Sequence, residues 1–177
     1  MAIVSFQDQL VALFNTKNSG LAQALTSADV TFGTASDYVA DPVDGRNTKL
    51  TITAVGGSQY FTGEKELHYT RMASANLIGN KAVTADQADW DTDEEVLAFV
   101  NTDLQAKGRP DDAFAVSELT FERTDGQDGA KVITVLVKDG HIKYQEGTIA
   151  VYTITQEIVK TDLSTTNGEL DGFGVPN

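Results

Sequence analysis

Apolar residues recur at helical spacing near the start of the chain. Phe6, Leu10, Leu13 and Phe14 form one stripe and predict a helix over residues 5–17. Ser5 stands where a capping hydroxyl accepts a backbone N–H, and Asp8, three residues on, can reach back to it. Asn18-Ser19-Gly20 closes the helix, because glycine takes the left-handed closing conformation without a Cβ clash. The period then shortens to two. Residues 29–32, 49–55 and 66–72 alternate apolar with polar side chains and are rich in β-branched types, so each reads as a strand. Residues 41–47 are dense in turn formers and read as a loop.

The same order then starts again. Thr92 and Glu95 are spaced as a capping box, and Val96, Phe99, Val100 and Leu104 make the buried stripe of a second helix. Lys107-Gly108-Arg109-Pro110 stops it, and strands follow at 117–123, 131–137 and 148–159. The recurrence extends to residue identity. Residues 10–16 align without a gap with 96–102, sharing Ala, Asn and Thr. Residues 29–32 match 118–121, 60–63 match 144–147, and 67–70 resemble 150–153 after a one-residue shift. Spacing drifts only across loops, where insertions are tolerated. Four blocks in one order point to an internal duplication.

The expected fold class is therefore α+β. It comprises two related small modules, each a helix packed on a three-stranded antiparallel meander, at residues 1–72 and 91–159. Residues 73–90 read as a linker and 160–177 as an extended C-terminal arm. A module of this size buries little core alone, so the copies are expected to pack on each other or on neighbouring subunits, with strand edges left exposed.

Composition narrows the function. The chain has 13 Lys+Arg against 26 Asp+Glu, a net charge of −13, which argues against a nucleic-acid partner. No run of 18 apolar residues predicts a membrane span, and residues 1–10 lack the basic start and long apolar stretch of a signal peptide. Without cysteine there are no disulfides, thiolate metal sites or thiol nucleophiles. Motifs for a serine elbow, zinc protease helix, phosphate loop or dinucleotide fold are missing too. His68 falls in a strand and His141 in a turn, where the latter is expected to be solvated.

The acids Asp86, Asp89, Asp91, Asp93, Glu94 and Glu95 gather where carboxylates favour a helix N-terminus. The Asp-Gly loops at 41–45 and 125–129 lack the ligand order of a calcium loop. Trp90 is placed to staple the preceding segment onto the second helix, and Tyr60 and Tyr144 occupy equivalent positions near hairpins. No catalytic, cofactor-binding or metal-ligating residue is assigned, and no enzymatic activity or cofactor is expected.

The end of the chain has a different texture. Residues 160–168 are polar and short-side-chained; beyond them single apolar residues alternate with Gly and Asp, and Leu170 and Phe173 are the candidate assembly contacts. Three groups of residues resemble the virion structural proteins of large (jumbo) tailed bacteriophages. The first is Leu13-Phe14-Asn15 with residues 28–33, and the second is residues 45–54 with 60–64 and 67–71. The third is residues 162–166 with 170–173. The likeness covers the first 72 residues and the last 16.

That resemblance implies a structural component of the virion, without a catalytic site, assembled in the bacterial host cytoplasm. It carries no binding role to Arg46 or Asn47. A capsid decoration (cementing) protein is the leading expectation; a tail or baseplate component, a host-surface or glycan-binding adhesin module, and a small carboxylate hydrolase are the alternatives. The expected partners are other virion proteins, major capsid or tail, in a homo-oligomeric or symmetric assembly without nucleic acid or membrane.

Overall fold

The computed structural model describes residues 4–40 and 42–169. Leu170 and Phe173 lie outside the described residues. The fold is α+β, with two four-stranded sheets. Helix α1 spans Phe6–Lys17 and starts as its sequence dictates: the Asp8 N–H donates to Ser5 Oγ (3.1 Å), and the Ser5 hydroxyl donates to Asp8 Oδ2 (2.7 Å). A short 3-10 turn, Ser27–Asp29, leads into β1, Val30–Phe32, followed by β2, Ser36–Asp37. Strands β3, Thr48–Ala54, and β4, Glu64–Tyr69, complete the first sheet. Strand β3 is its centre: β1 and β2 pair along one edge and β4 along the other, all antiparallel.

The second sheet runs β5, Gly79–Ala85, then β8, Gly147–Gln156, then β7, Lys131–Val137, then β6, Leu119–Asp125. Strands β6, β7 and β8 pair antiparallel in sequence, whereas β5 lies parallel to β8. Helix α2, Asp93–Ala106, opens with the expected capping box, the Glu95 N–H on Thr92 Oγ1 and the Thr92 N–H on Glu95 Oε2 (3.3 and 2.9 Å). Residues 73–90, read as a linker, thus contain a seven-residue strand. Its hydrophobic signal is faint because Val83 and Ala85 are the strand residues that pack against the core.

The segments that align in sequence make matching contacts. Asn15 Nδ2 donates to the Leu25 carbonyl (2.8 Å) while its Oδ1 accepts the Leu25 N–H (2.9 Å). Asn101 grips Phe114 the same way, at 3.1 and 2.9 Å. Thr16 and Thr102 each donate one turn back, to Ala12 and Ala98, both at 2.8 Å. Downstream, Asp29 and Glu118 accept the backbone N–H groups of Thr26 and Ala115 (2.9 and 2.8 Å) just before β1 and β6. Leu50 pairs with Leu67 as Ile133 pairs with Tyr152. A bulge in β8, with Ile149 the extra residue, therefore sets Leu67 opposite Tyr152 in the comparison. This replaces the sequence alignment of residues 67–70 with 150–153, which shifts by one residue in the opposite direction from the bulge.

Two cores result, and α1 serves both. Leu10 and Val11 pack with Leu25, Val30, Leu50 and Ile52 in the first, whereas Phe6 enters the second beside Phe114 and Tyr144. Ile142 touches both. Sharing the helix rotates its expected stripe: Val11 is buried and Leu13 is 65% exposed. In α2, Val96, Val100 and Leu104 are buried as read, whereas Phe99, expected in the same stripe, is exposed and has one face lying flat on Trp90 (centroids 3.9 Å apart, planes 4° apart). Trp90 itself is buried, which makes it the staple its position suggested.

Candidate functional site

Two features stand out once the sheets are in place: a polar seam joining them, and an open groove beside β4. The seam begins where β4 ends. Met72 forms an isolated parallel bridge with Tyr144, its N–H donating to the Lys143 carbonyl and its carbonyl accepting from the Gln145 N–H (both 2.9 Å). Arg71 is buried. Its Nε donates to Thr48 Oγ1 (2.9 Å) and its guanidinium reaches Asp37 Oδ1 (3.0 Å) and the His141 carbonyl (3.4 Å). Tyr69 donates to the Ile142 carbonyl (2.8 Å), and burial pushes its phenol up to about 12.

Asp112, only 2% exposed, is the centre of the seam. Oδ1 accepts from Lys143 Nζ (2.5 Å) and Gln9 Nε2 (3.3 Å), and Oδ2 accepts from the Tyr144 hydroxyl. Burial alone would raise this carboxyl, but the hydrogen bonds from Lys143 and Tyr144 and the Lys143 charge outweigh it and hold the group below its usual range. Tyr144 is raised well above a normal phenol by burial and by Asp112. Three donors thus occupy the two oxygens of one charged, buried carboxylate, an arrangement that fastens α1 and the 109–112 turn to residues 143–144.

The histidines separate. His141 is 6% exposed, not solvated as its turn-rich sequence suggested. Phe6 from α1 closes over it edge-on (centroids 4.6 Å apart), a contact made 135 positions away and invisible locally. His141 Nδ1 accepts the N–H groups of Lys143 (3.1 Å) and Tyr144 (3.0 Å), while Nε2 has no hydrogen-bond partner and lies 3.7 Å from Glu118 Oε1. Burial, then the Arg71 charge, pushes its pKa down to about 4, and burial raises Glu118. His68 instead lies on the exposed face of β4, stacked on Tyr38 (3.9 Å) with Nε2 2.8 Å from Glu66 Oε1. Tyr60 and Tyr144, equivalent in sequence, also part: the former is exposed and the latter buried.

The acidic run takes structural bonds. Asp86 caps the turn at Gln87–Trp90, Asp91 pairs with Lys131 (2.5 Å), Asp93 pairs with Arg123 (2.7 Å), and Glu95 completes the α2 box. In the 41–47 loop, Asp44 is taken up by Arg46. Among the described residues, no three His, Asp or Glu side chains converge as a metal site would require.

The groove lies between α1 and β4 and encloses about 520 Å³. Leu10, Leu13, Phe14, Leu67 and Tyr69 form its apolar walls, with three cations, Lys17, Arg46 and Lys65, and one acid, Glu66, at its margins. A smaller hollow of about 170 Å³ continues it toward Met72 and Lys143, sharing Leu10, Leu13 and Tyr69. The edge of β4 beside it is open. The Ala54 N–H donates to the Gly63 carbonyl (2.9 Å), and antiparallel alternation from that pair turns the main-chain groups of Glu64, Glu66 and His68 away from β3. Sequence patterning showed each wall separately, but not that they face one another. No curated protein matches the chain. It belongs to a family of unknown function, DUF7941, whose profile matches residues 1–176.

Proposed function

We propose that this chain is a non-enzymatic structural protein of a tailed-phage virion, built as a duplicated helix–sheet module with an extended C-terminal arm, and that it decorates the capsid. The observation that carries the reading is the segment after β8. Ile158, Val159 and Leu163 are each about four-fifths exposed, within six residues. Large apolar side chains so presented gain free energy when a neighbour covers them. The duplication is supported by the twin grips of Asn15 and Asn101 and by the parallel registers of the two sheets. Modules at residues 1–72 and 91–159 share a connecting segment that adds a strand to the second sheet.

Assembly would work by surface burial. Sheet edges supply main-chain hydrogen bonds that set register, and symmetry multiplies weak contacts. The net charge of −13 suits a surface facing solvent rather than packaged DNA. Deleting residues 161–177 tests the reading. The full chain should form oligomers in mass photometry, and the shortened chain should stay folded and soluble but lose them. Unchanged assembly, or binding of the isolated protein to host cells or a glycan array in place of assembly, overturns it.

A further inference from the structure

We infer that the open edge of β4 and the groove beneath it receive the C-terminal segment of a second copy of this chain as an added strand, in the place that β5 takes beside β8. The inference rests on the assembly reading above and specifies its contact. The register makes β4 the counterpart of β8, since Leu67 sits opposite Leu50 as Tyr152 sits opposite Ile133. Along the outer edge of β8, β5 pairs in parallel from Gly79 with Ala150 to Ala85 with Gln156. Along the outer edge of β4, among the described residues, nothing pairs. The second sheet is thus filled where the first is open.

Charge identifies the occupant. Lys81 of β5 reaches Asp103 of α2 (2.5 Å), which locks the added strand to the helix. By the alignment that pairs Asn15 with Asn101, the α1 counterpart of Asp103 is Lys17. Lys17 and Lys65 both line the groove, and among the described residues neither has a carboxylate within 4.0 Å. A strand entering here should therefore carry acids where β5 carries a lysine. Residues 161–177 contain Asp162, Glu169 and Asp171 and no Lys or Arg, and in an extended strand Glu169, Asp171 and Phe173 share one face, which brings the acids and one aromatic ring to the groove together.

Chain order points to exchange between copies. Strand β5 follows β4 in sequence yet completes the next sheet along the chain, on β8. The segment beyond Gln156 likewise runs on from the last strand of its own module, and its next sheet is the first sheet of another copy. Such a contact is head-to-tail, and repetition gives a ring or a continuous array.

The chain has no cysteine, so thiol cross-linking reports this contact cleanly. Full-length Glu66→Cys is mixed with full-length Gly172→Cys and treated with a short bismaleimide. A heterodimer on denaturing gels is expected, as is a ladder of multimers from the double variant. Thr124→Cys on the outer edge of β6 should give no heterodimer with Gly172→Cys. Reversing the tail acids (Glu169→Lys with Asp171→Lys) should abolish the band, and Lys17→Glu with Lys65→Glu in the acceptor should restore it. Absence of the Glu66→Cys heterodimer, an equal band at β6, or only an intramolecular product from the double variant overturns the inference. If the full chain still oligomerises through its tail while the band is absent, the β4 contact falls and the assembly reading stands. If the full chain remains monomeric at every concentration, the assembly reading falls with it.

Discussion

His141 should make the protein acid-labile over a definite interval. Its ring is buried under Phe6, with Arg71 and Lys143 adding positive charge nearby and Asp112 the opposing negative charge. Together these lower its pKa from an ordinary 6.5 to about 4. Above pH 6.5 neither the folded nor the unfolded chain is protonated here, and the histidine adds no pH dependence. As pH falls from 6.5 to 4 the unfolded chain takes up a proton that the folded chain refuses, so stability drops; below 4 the loss is complete. At about 1.4 kcal/mol for each pH unit, the interval corresponds to roughly 3 kcal/mol.

Trp90 is the one tryptophan and is buried against Phe99, so its fluorescence reports urea unfolding. Unfolding would be followed at several pH values for the native chain and for His141→Asn, whose side-chain oxygen can replace Nδ1 as an acceptor but does not titrate. Asp112, held low, also loses its contribution as pH falls through its folded pKa, and Glu118, held high, works in the opposite direction. Comparing the two proteins separates the histidine from these carboxylates. The native chain should lose roughly 3 kcal/mol more than the variant between pH 6.5 and 4. Equal slopes would show that burial of His141 does not govern its protonation.

Further expectations concern the matched positions. Asn15→Ala and Asn101→Ala each remove two hydrogen bonds and orphan a backbone N–H, so urea melts should show comparable losses of about 2 kcal/mol; a neutral result at either would deny their equivalence. Gly63 precedes β4 and Gly147 opens β8, with φ of +81° and +146°, but a Cβ at Gly147 would lie 2.7 Å from Ser74 Oγ and one at Gly63 meets nothing within 4 Å. Gly147→Ala should therefore lower the thermal midpoint clearly more than Gly63→Ala, whose cost is about 1 kcal/mol of backbone strain. Asp112→Ala leaves Lys143 and the Tyr144 hydroxyl without their shared acceptor, and a loss of about 2–3 kcal/mol by denaturant melt is expected.

What was legible in the sequence was local. Ser5 and Thr92 announced their helices because capping needs only three neighbouring residues. Strand β7 ran over its expected residues 131–137 because Ile133, Val135 and Val137 face one core in strict alternation. Strand β5 was obscured because its partner β8 lies some seventy residues on and its own Gly-Asn-Lys-Ala start carries no alternation. Strand β2 has no signature in the sequence for a simpler reason: two residues are too short for a period.

The seam was hidden for a related reason. Asp112, Tyr144 and Gln9 come from three distant stretches, and none is unusual until α1 brings Gln9 and Phe6 across to the second sheet. The same sharing explains Leu13, which an amphipathic pattern buries but the groove exposes. Lys17 was readable only as a helix-ending cation, and its contrast with Asp103 required both the repeat and the strand that fills one copy.

The proposal that this chain is an assembling virion component is best checked by cryo-electron microscopy of the purified particle. Symmetric copies of the two-sheet fold are expected on the capsid exterior, with an extra strand along the edge of β4 traceable to the C-terminus of a neighbour. A particle whose maps and protein content lack this chain would contradict it.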